Sequence, residues 1–125
     1  MPWMRDDEMK LKGSKTEQDF RVRFIDSHKS LFQDPSNERL LNVLRNSFPE
    51  MRTAYFIGHV PEQGEDFYRL LINTDTIALI ELDRYNFDAK PIVDTISLRD
   101  YVKGLSKMDQ IKMAVALDLA QRDLE

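Results

Sequence analysis

The sequence predicts one α+β domain in which helices flank an antiparallel sheet, and three observations indicate this class. Apolar residues recur at helical spacing from residue 20 to residue 48. Aromatic and branched residues then fill strand-like segments from residue 52 to residue 83, and helical spacing returns after residue 107. Helices and strands that are grouped along the chain, and do not alternate, are typical of α+β domains.

The length and composition suit one domain with a core of its own. The chain has 125 residues, of which 42% are hydrophobic and 32% are charged. Residues 1–13 are predicted to form a flexible N-terminal arm, and residues 14–125 to form the domain. The N-terminus is charged and lacks an apolar signal core, and no apolar run reaches the ~20 residues of a membrane span. We therefore expect neither secretion nor a membrane partner.

The first helix is predicted to begin after Ser14. Ser14 and Glu17 have the spacing of a capping box, in which each side chain accepts a hydrogen bond from a free backbone N–H group. Helical spacing then connects Phe20, Phe24, Ile25, His28, Leu31 and Phe32. The segment "FRVRF" at residues 20–24 also alternates like a strand, so residues 20–26 can be read either way, although the longer pattern favours a helix.

A second helix is predicted between two prolines. Asp34 and Pro35 fit an N-cap followed by proline at the first helical position, where a missing N–H group costs nothing. Pro49 ends the segment. The apolar face between them consists of Leu40, Leu41, Leu44 and Phe48.

Three or four strands of an antiparallel meander follow. The segments "RTAYFIGHV" (52–60) and "DFYRLLIN" (66–73) flank the turn-like "PEQGE" (61–65). The third strand is "TIALIELD" (76–83), and a short fourth strand is predicted in "PIVDTISL" (91–98). The run "TIALI" is apolar at consecutive positions, so both faces of this strand avoid water. Either helices cover both faces of the sheet, or a partner chain covers one.

Two further helices are predicted at the C-terminus. Ser97 with Asp100, and Ser106 with Asp109, have the spacing of helix caps, and Gly104 is a natural stop between them. The last helix should run from about residue 107 to near the end of the chain and pack on the sheet. Its predicted core residues are Ile111, Val115 and Leu119.

Charge and cysteine content narrow the classes of function. The net charge is −4; residues 1–60 carry ten Lys/Arg against nine Asp/Glu, and residues 61–125 carry eight against thirteen. An acidic C-terminal half argues against a nucleic-acid partner, because such proteins bind through a basic surface. The chain has no cysteine, which excludes thiolate chemistry and is compatible with a reducing cytoplasm. We expect a cytoplasmic protein.

The segment "IGHVPEQGEDFY" (57–68) places His59 close to several carboxylates. Histidine beside a carboxylate can act as a general base. We instead interpret Pro61 to Asp66 as a solvated hairpin tip, because proline and glycine favour a bend and a loop tip holds catalytic geometry poorly. The chain also lacks the ligand ladder of a calcium loop.

Glu81 and Asp83 form a second candidate site. Residues two apart on a strand share a face, so this pair could begin a divalent-metal site. No lysine follows in the pattern of a metal-dependent nuclease, and acids are common where a strand ends. A small metal-dependent or hydrolytic enzyme that uses Glu81, Asp83 and His59 is therefore the alternative function.

The function predicted by elimination is binding, without catalysis and without a cofactor or metal. The most concrete version is an inhibitor or immunity-type protein that neutralises a basic enzyme, such as a toxin nuclease, with its carboxylates. The predicted partner-binding residues are Glu62, Glu65, Asp66, Glu81 and Asp83. The apolar sheet around Phe67, Leu71 and Ile80 is an alternative surface, and a structural subunit that forms a homodimer through the sheet is the second alternative function.

Overall fold

The computed structural model describes residues 11–125, and it confirms the predicted α+β class. Two helices precede a four-stranded antiparallel sheet of order β1-β2-β3-β4, and a short and a long helix follow it. The elements are α1 (Lys15–Gln33), a 3-10 turn (Pro35–Asn37), α2 (Glu38–Ser47), β1 (Ala54–Glu62), β2 (Glu65–Ile72), β3 (Thr76–Asp83), β4 (Ile92–Ser97), α3 (Leu98–Tyr101) and α4 (Lys107–Asp123).

The predicted helix caps form as the spacing requires. The Glu17 amide donates to the Ser14 hydroxyl at 3.2 Å, and the Ser14 amide donates to the Glu17 carboxylate in return. The helix continues without interruption from this cap to Gln33, so residues 20–26 are helical and the strand reading is wrong. The Ser97 and Ser106 hydroxyls likewise accept hydrogen bonds at the starts of α3 and α4.

The start of the second helix differs from the prediction by one short element. Asp34 accepts a hydrogen bond from the Ser36 amide at 2.9 Å, and Pro35 begins a 3-10 turn, not an α-helix. The α-helical hydrogen bonds begin only at Glu38. Asp34 therefore caps the turn that leads into α2, because its side chain reaches an amide only two residues away.

Helices cover both faces of the sheet over the half that lies away from the β1–β2 hairpin. We call these the α4 face and the α2 face. On the α4 face, strand residues pack with α4 and with Phe24 of α1; they are Tyr55, Ile57, Leu71 and Ile77. On the α2 face, strand residues pack with α2 and with Leu31 of α1; they are Ala54, Leu70, Ile72, Ala78 and Ile80. The predicted burial of both faces of β3 is confirmed, and helices of the same chain provide it.

The last helix buries most of its circumference. Five consecutive residues, Met113 to Leu117, are buried, as are Leu119 and Ala120. Val115 and Leu119 therefore belong to the core as predicted, whereas Ile111 is only half-buried because it lies one turn nearer the exposed N-terminal end of the helix.

The predicted N-terminal arm lies mainly outside the described residues, because only residues 11–13 of its range are among them. Leu11 packs against the core on the α4 face. Within residues 11–125, none of the helices combines the length and apolar character that crossing a bilayer requires.

Candidate partner-binding surface

The hairpin between β1 and β2 has a two-residue turn. Gln63 and Gly64 have φ angles of 49° and 81°, the left-handed conformation of both central residues in a type I′ turn. The predicted hairpin is confirmed, but its tip is shorter than Pro61 to Asp66. Those two residues pair with each other across the strands, and Pro61 is tolerated there because β1 is an edge strand.

A β-bulge in β1 determines which face each hairpin residue occupies. The strand register shifts between Phe56 and Gly58, so Ile57 is an additional residue in the ladder. Beyond the bulge, Val60 shares a face with Phe67, and His59 shares the opposite face with Tyr68. The side chains nearest the turn are thereby divided between the α4 face and the α2 face.

Two rows of side chains cross the α4 face beyond the end of its helix cover. From β1 towards β4, the first row is Val60, Phe67, Glu81 and Ile92, and the second row is Glu62, Glu65 and Asp83. Arg69, Leu79 and Asp94 lie behind the first row, on the same face. We call these residues the acidic-apolar surface.

The apolar side chains of this surface are exposed although they stand on regular strands. The exposed fractions are 49% for Val60, 36% for Phe67 and 57% for Ile92. Together with Leu79 they line a shallow cavity of about 380 Å³. Contiguous exposed apolar groups with a polar border mark interaction sites on protein surfaces.

The carboxylates around these apolar groups repel one another. A hydrogen bond that the protonated Glu65 carboxyl group donates to Glu81, followed by desolvation and by the negative charges of Glu81 and Asp83, raises the pKa of Glu65. Asp83, in contrast, accepts hydrogen bonds from the amides of Asn86 and Tyr85, which lower its pKa. Arg69 lines the same cavity, but the carboxylates of Glu62, Glu65, Glu81 and Asp83 outnumber it, and a further cation placed here would relieve the repulsion.

Asp66 and His59 lie on the α2 face and bind each other. His59 Nε2 lies 2.9 Å from Asp66 Oδ1, and the imidazole stacks on the Tyr68 ring at 4.4 Å between centroids. Arg84 Nη2 lies 3.2 Å from the same oxygen. Burial alone would raise the pKa of Asp66, but the hydrogen bonds from His59 and Arg84 outweigh it and lower the pKa.

The five predicted partner-binding residues therefore lie on two different faces of the sheet. Glu62, Glu65, Glu81 and Asp83 share the α4 face, whereas Asp66 lies on the opposite face and its carboxylate is already engaged. The interpretation of the hairpin acids as freely solvated is wrong for Asp66. The alternative surface is also corrected, because Leu71 and Ile80 are buried and only Phe67 of that group is exposed.

The residues of the predicted enzyme alternative do not converge. Glu81 and Asp83 project from the α4 face, and His59 projects from the α2 face on the other side of the sheet. In the part of the chain that the structure describes, no three His, Asp or Glu side chains are arranged to hold a metal ion. The lack of catalytic activity stays a prediction.

Sequence reasoning missed Val60, Leu79, Ile92 and Asp94 as surface residues. The available signal was the short apolar pair Ile92-Val93 between Pro91 and Asp94, which is typical of an edge strand with little helix cover. Their position beside the carboxylates depends on strand register, which a single sequence does not determine.

Comparison with known proteins identified no relative of this chain. No protein-family model, no curated protein and no solved structure matches the chain. The fold and the two faces of its sheet define the class: a small α+β domain with an acidic-apolar sheet surface that its own helices leave open.

Proposed function

We propose that this chain binds a basic partner protein through its acidic-apolar surface. The most concrete form of the proposal is an inhibitor or immunity-type protein that covers the active site of a basic enzyme, such as a toxin nuclease. The observation that carries the proposal is the exposed row Val60, Phe67 and Ile92 beside the carboxylates of Glu65, Glu81 and Asp83.

The composition of the surface suits protein recognition. Apolar groups contribute roughly 25 cal/mol per Å² when a partner removes them from water, and carboxylates at the border give specificity and a faster association rate. Regular strands carry every one of these side chains, so little conformational freedom is lost on binding. A stable complex would bury about 1,200–2,000 Å² in total. An interface of that size would extend beyond the cavity to Glu62, Glu65 and Asp83 on one side and to Asp94 on the other.

Charge favours a basic partner over a second copy of this chain. In a two-fold homodimer each face meets the same face of its partner, so Glu65, Glu81 and Asp83 would approach their own copies. A hydrogen bond with Glu81, desolvation and the charges of Glu81 and Asp83 already raise the pKa of Glu65 within one chain, and a second set of carboxylates would add repulsion. Lysine and arginine side chains of a different protein would instead offset the repulsion among these carboxylates.

The location proposed for this activity is the cytoplasm. A cysteine-free chain of net charge −4 suits a reducing compartment, and the acidic surface does not suit nucleic acid. A cytoplasmic inhibitor would meet its target before the target reaches its substrate.

The test is an affinity capture with a matched control. The tagged chain and two double variants are incubated with native lysate at low and high salt, and the bound proteins are identified by mass spectrometry. Glu65→Lys/Glu81→Lys changes the acidic-apolar surface. Asp26→Lys/Glu50→Lys changes the net charge equally at exposed positions outside it.

We expect a basic protein that the parent chain and the control variant retain and the surface variant loses, with weaker retention at high salt. Equal retention of the same partner by all three chains would show that the binding surface lies elsewhere. A captured partner that is acidic would contradict the proposed complementarity of charge.

A further inference from the structure

Two cations, Lys112 and Arg69, lie at the part of β1 where the bulge interrupts the ladder. Lys112 Nζ of α4 donates to the Ile57 carbonyl at 2.5 Å. The Arg69 guanidinium lies over Gly58. A Cβ atom added at Gly58 would stand only 2.9 Å from Arg69 Nη2. The absence of a side chain at Gly58 thus makes room for a positive charge next to Lys112.

A cavity opens between α1 and this part of β1. Its volume is about 420 Å³, within the ~300–1,000 Å³ range of small-molecule sites. Aromatic side chains form most of its apolar wall: Phe20, Phe24, Phe56 and Tyr68. Arg23 and Lys112 line the same cavity, so it combines a flat apolar wall with positive charge.

Among residues 11–125, the carboxylate that acts on Lys112 is that of Asp109, and it forms no salt bridge with the lysine. None of the salt bridges formed within that part of the chain includes Arg23, Arg69 or Lys112. Desolvation lowers the pKa of Lys112, and the charges of Arg69 and Arg23 lower it further, whereas the charge of Asp109 raises it. A half-buried lysine near two arginines is held at an energetic cost that an anion would offset.

We propose that this cavity binds a small organic anion, with a carboxylate or phosphate group at Lys112 and Arg23 and a flat apolar ring against the phenylalanines. Hydrogen bonds between ionised partners are shorter and about twice as strong as those between neutral partners. Aromatic walls favour a ring, since aromatic pairs gain from stacked or edge-to-face packing. Arg69 also lines the shallow cavity of the acidic-apolar surface, but Arg23 and Lys112, the two cations assigned to the anion, do not, so the proposal does not depend on the proposed partner.

Phenyl phosphate and benzyl alcohol test the proposal as a charged and a neutral probe. Each is titrated into the full-length chain, and ¹⁵N-¹H correlation spectra follow the backbone amides. We expect saturable shifts at Ser27, Gly58 and Lys112 with phenyl phosphate, and binding at least about tenfold weaker with benzyl alcohol, as expected when a charge-assisted hydrogen bond is lost.

Two variants of α4 distinguish binding of the anion in the cavity from its general attraction to lysine side chains. Lys112→Met keeps an apolar stem and removes the charge, and Lys107→Met makes the same change at an exposed position on the first turn of α4. Affinity for phenyl phosphate should fall about tenfold or more in the first variant and stay within about twofold in the second. Arg23→Gln, at an exposed position on α1, gives the same test if Lys112→Met disturbs folding.

Three outcomes would overturn the proposal. The first is the absence of saturable shifts around Gly58. The second is equal affinity for the charged and the neutral probe. The third is that neither Lys112→Met nor Arg23→Gln weakens binding more than Lys107→Met does.

Discussion

His59 Nε2 and Asp66 Oδ1 lie 2.9 Å apart across the β1–β2 hairpin, on the face of the sheet opposite to Glu81 and Asp83. This pairing has two consequences. It removes Asp66 from the set of acids available to a partner, and it engages the histidine on the face opposite to Glu81 and Asp83, the acids of the predicted enzyme alternative. His59 and Asp66 bind each other on one face of the hairpin, and on the other face Glu62 and Glu65 form no salt bridge with any residue of the range 11–125.

The pairing makes the contribution of Asp66 to stability depend on pH. The pKa of Asp66 is lowered in the folded chain, so its stabilising effect is complete above the unfolded value of ~3.9 and is lost as pH falls through the lower, folded value. Asp66→Asn should reduce the free energy of unfolding by about 1 kcal/mol at pH 7. Urea unfolding of both chains at pH 7 and at pH 3 should show the difference shrinking at the lower pH, and an equal difference at both would contradict the assignment.

Glu65 should behave in the opposite sense. Its pKa is raised in the folded chain by Glu81, by desolvation and by Asp83, so its ionised form opposes folding. This penalty is absent below the unfolded value of ~4.3 and appears as pH rises through the raised, folded value. Glu65→Gln should therefore increase the midpoint of thermal unfolding at pH 7 and have little effect at pH 3.5. A lower midpoint at pH 7 would mean that Glu65 is stabilised by a cation, not opposed by acids.

The buried stripe of α4 should not tolerate charge. Val115 and Leu119 are 0% and 7% exposed, and an unpaired buried carboxylate costs several kcal/mol against a total stability of ~5–15 kcal/mol. Val115→Asp or Leu119→Asp should unfold the domain, as far-ultraviolet circular dichroism and urea titration would show. Met108→Asp, on the same helix at 54% exposure, is the control and should fold like the parent. A parent-like melting curve for Val115→Asp would disprove the packing of α4.

Association with the basic partner should depend on Glu62, Glu65 and Glu81. Their replacement by lysine should slow association markedly at low salt, because charge acts through steering over a Debye length of ~8 Å at physiological ionic strength. The effect should diminish at high salt. Stopped-flow mixing with the captured partner measures the rate, and association that is independent of both salt and these three substitutions would exclude the acidic-apolar surface.

Replacement of Asp66 alone provides the contrast for that measurement. Asp66→Asn should change the association rate far less than the triple replacement does, because its carboxylate lies on the α2 face and is bound by His59 and Arg84. A large effect of Asp66→Asn would mean that the hairpin tip itself, and not the α4 face, meets the partner.

Local chemistry was sufficient to predict most of the secondary structure. The capping pair of Ser14 and Glu17, the turn residues Gln63 and Gly64, and the helical spacing of Val115 and Leu119 each act over a few residues. The sequence therefore determined the α+β class, the meander and the buried face of the last helix. It also determined the excess of acid after residue 60 on which the predicted function rests.

Only the tertiary structure decided which side chains share a surface. Without the bulge at Ile57, alternation along β1 would place His59 on the same face as Tyr55; the additional residue moves it to the other face, beside Asp66. The charges of Arg23 and Arg69 act on Lys112 although the three residues belong to elements far apart in the chain. Strand register and helix packing set these positions, and both arise from long-range contacts that no short stretch of sequence encodes.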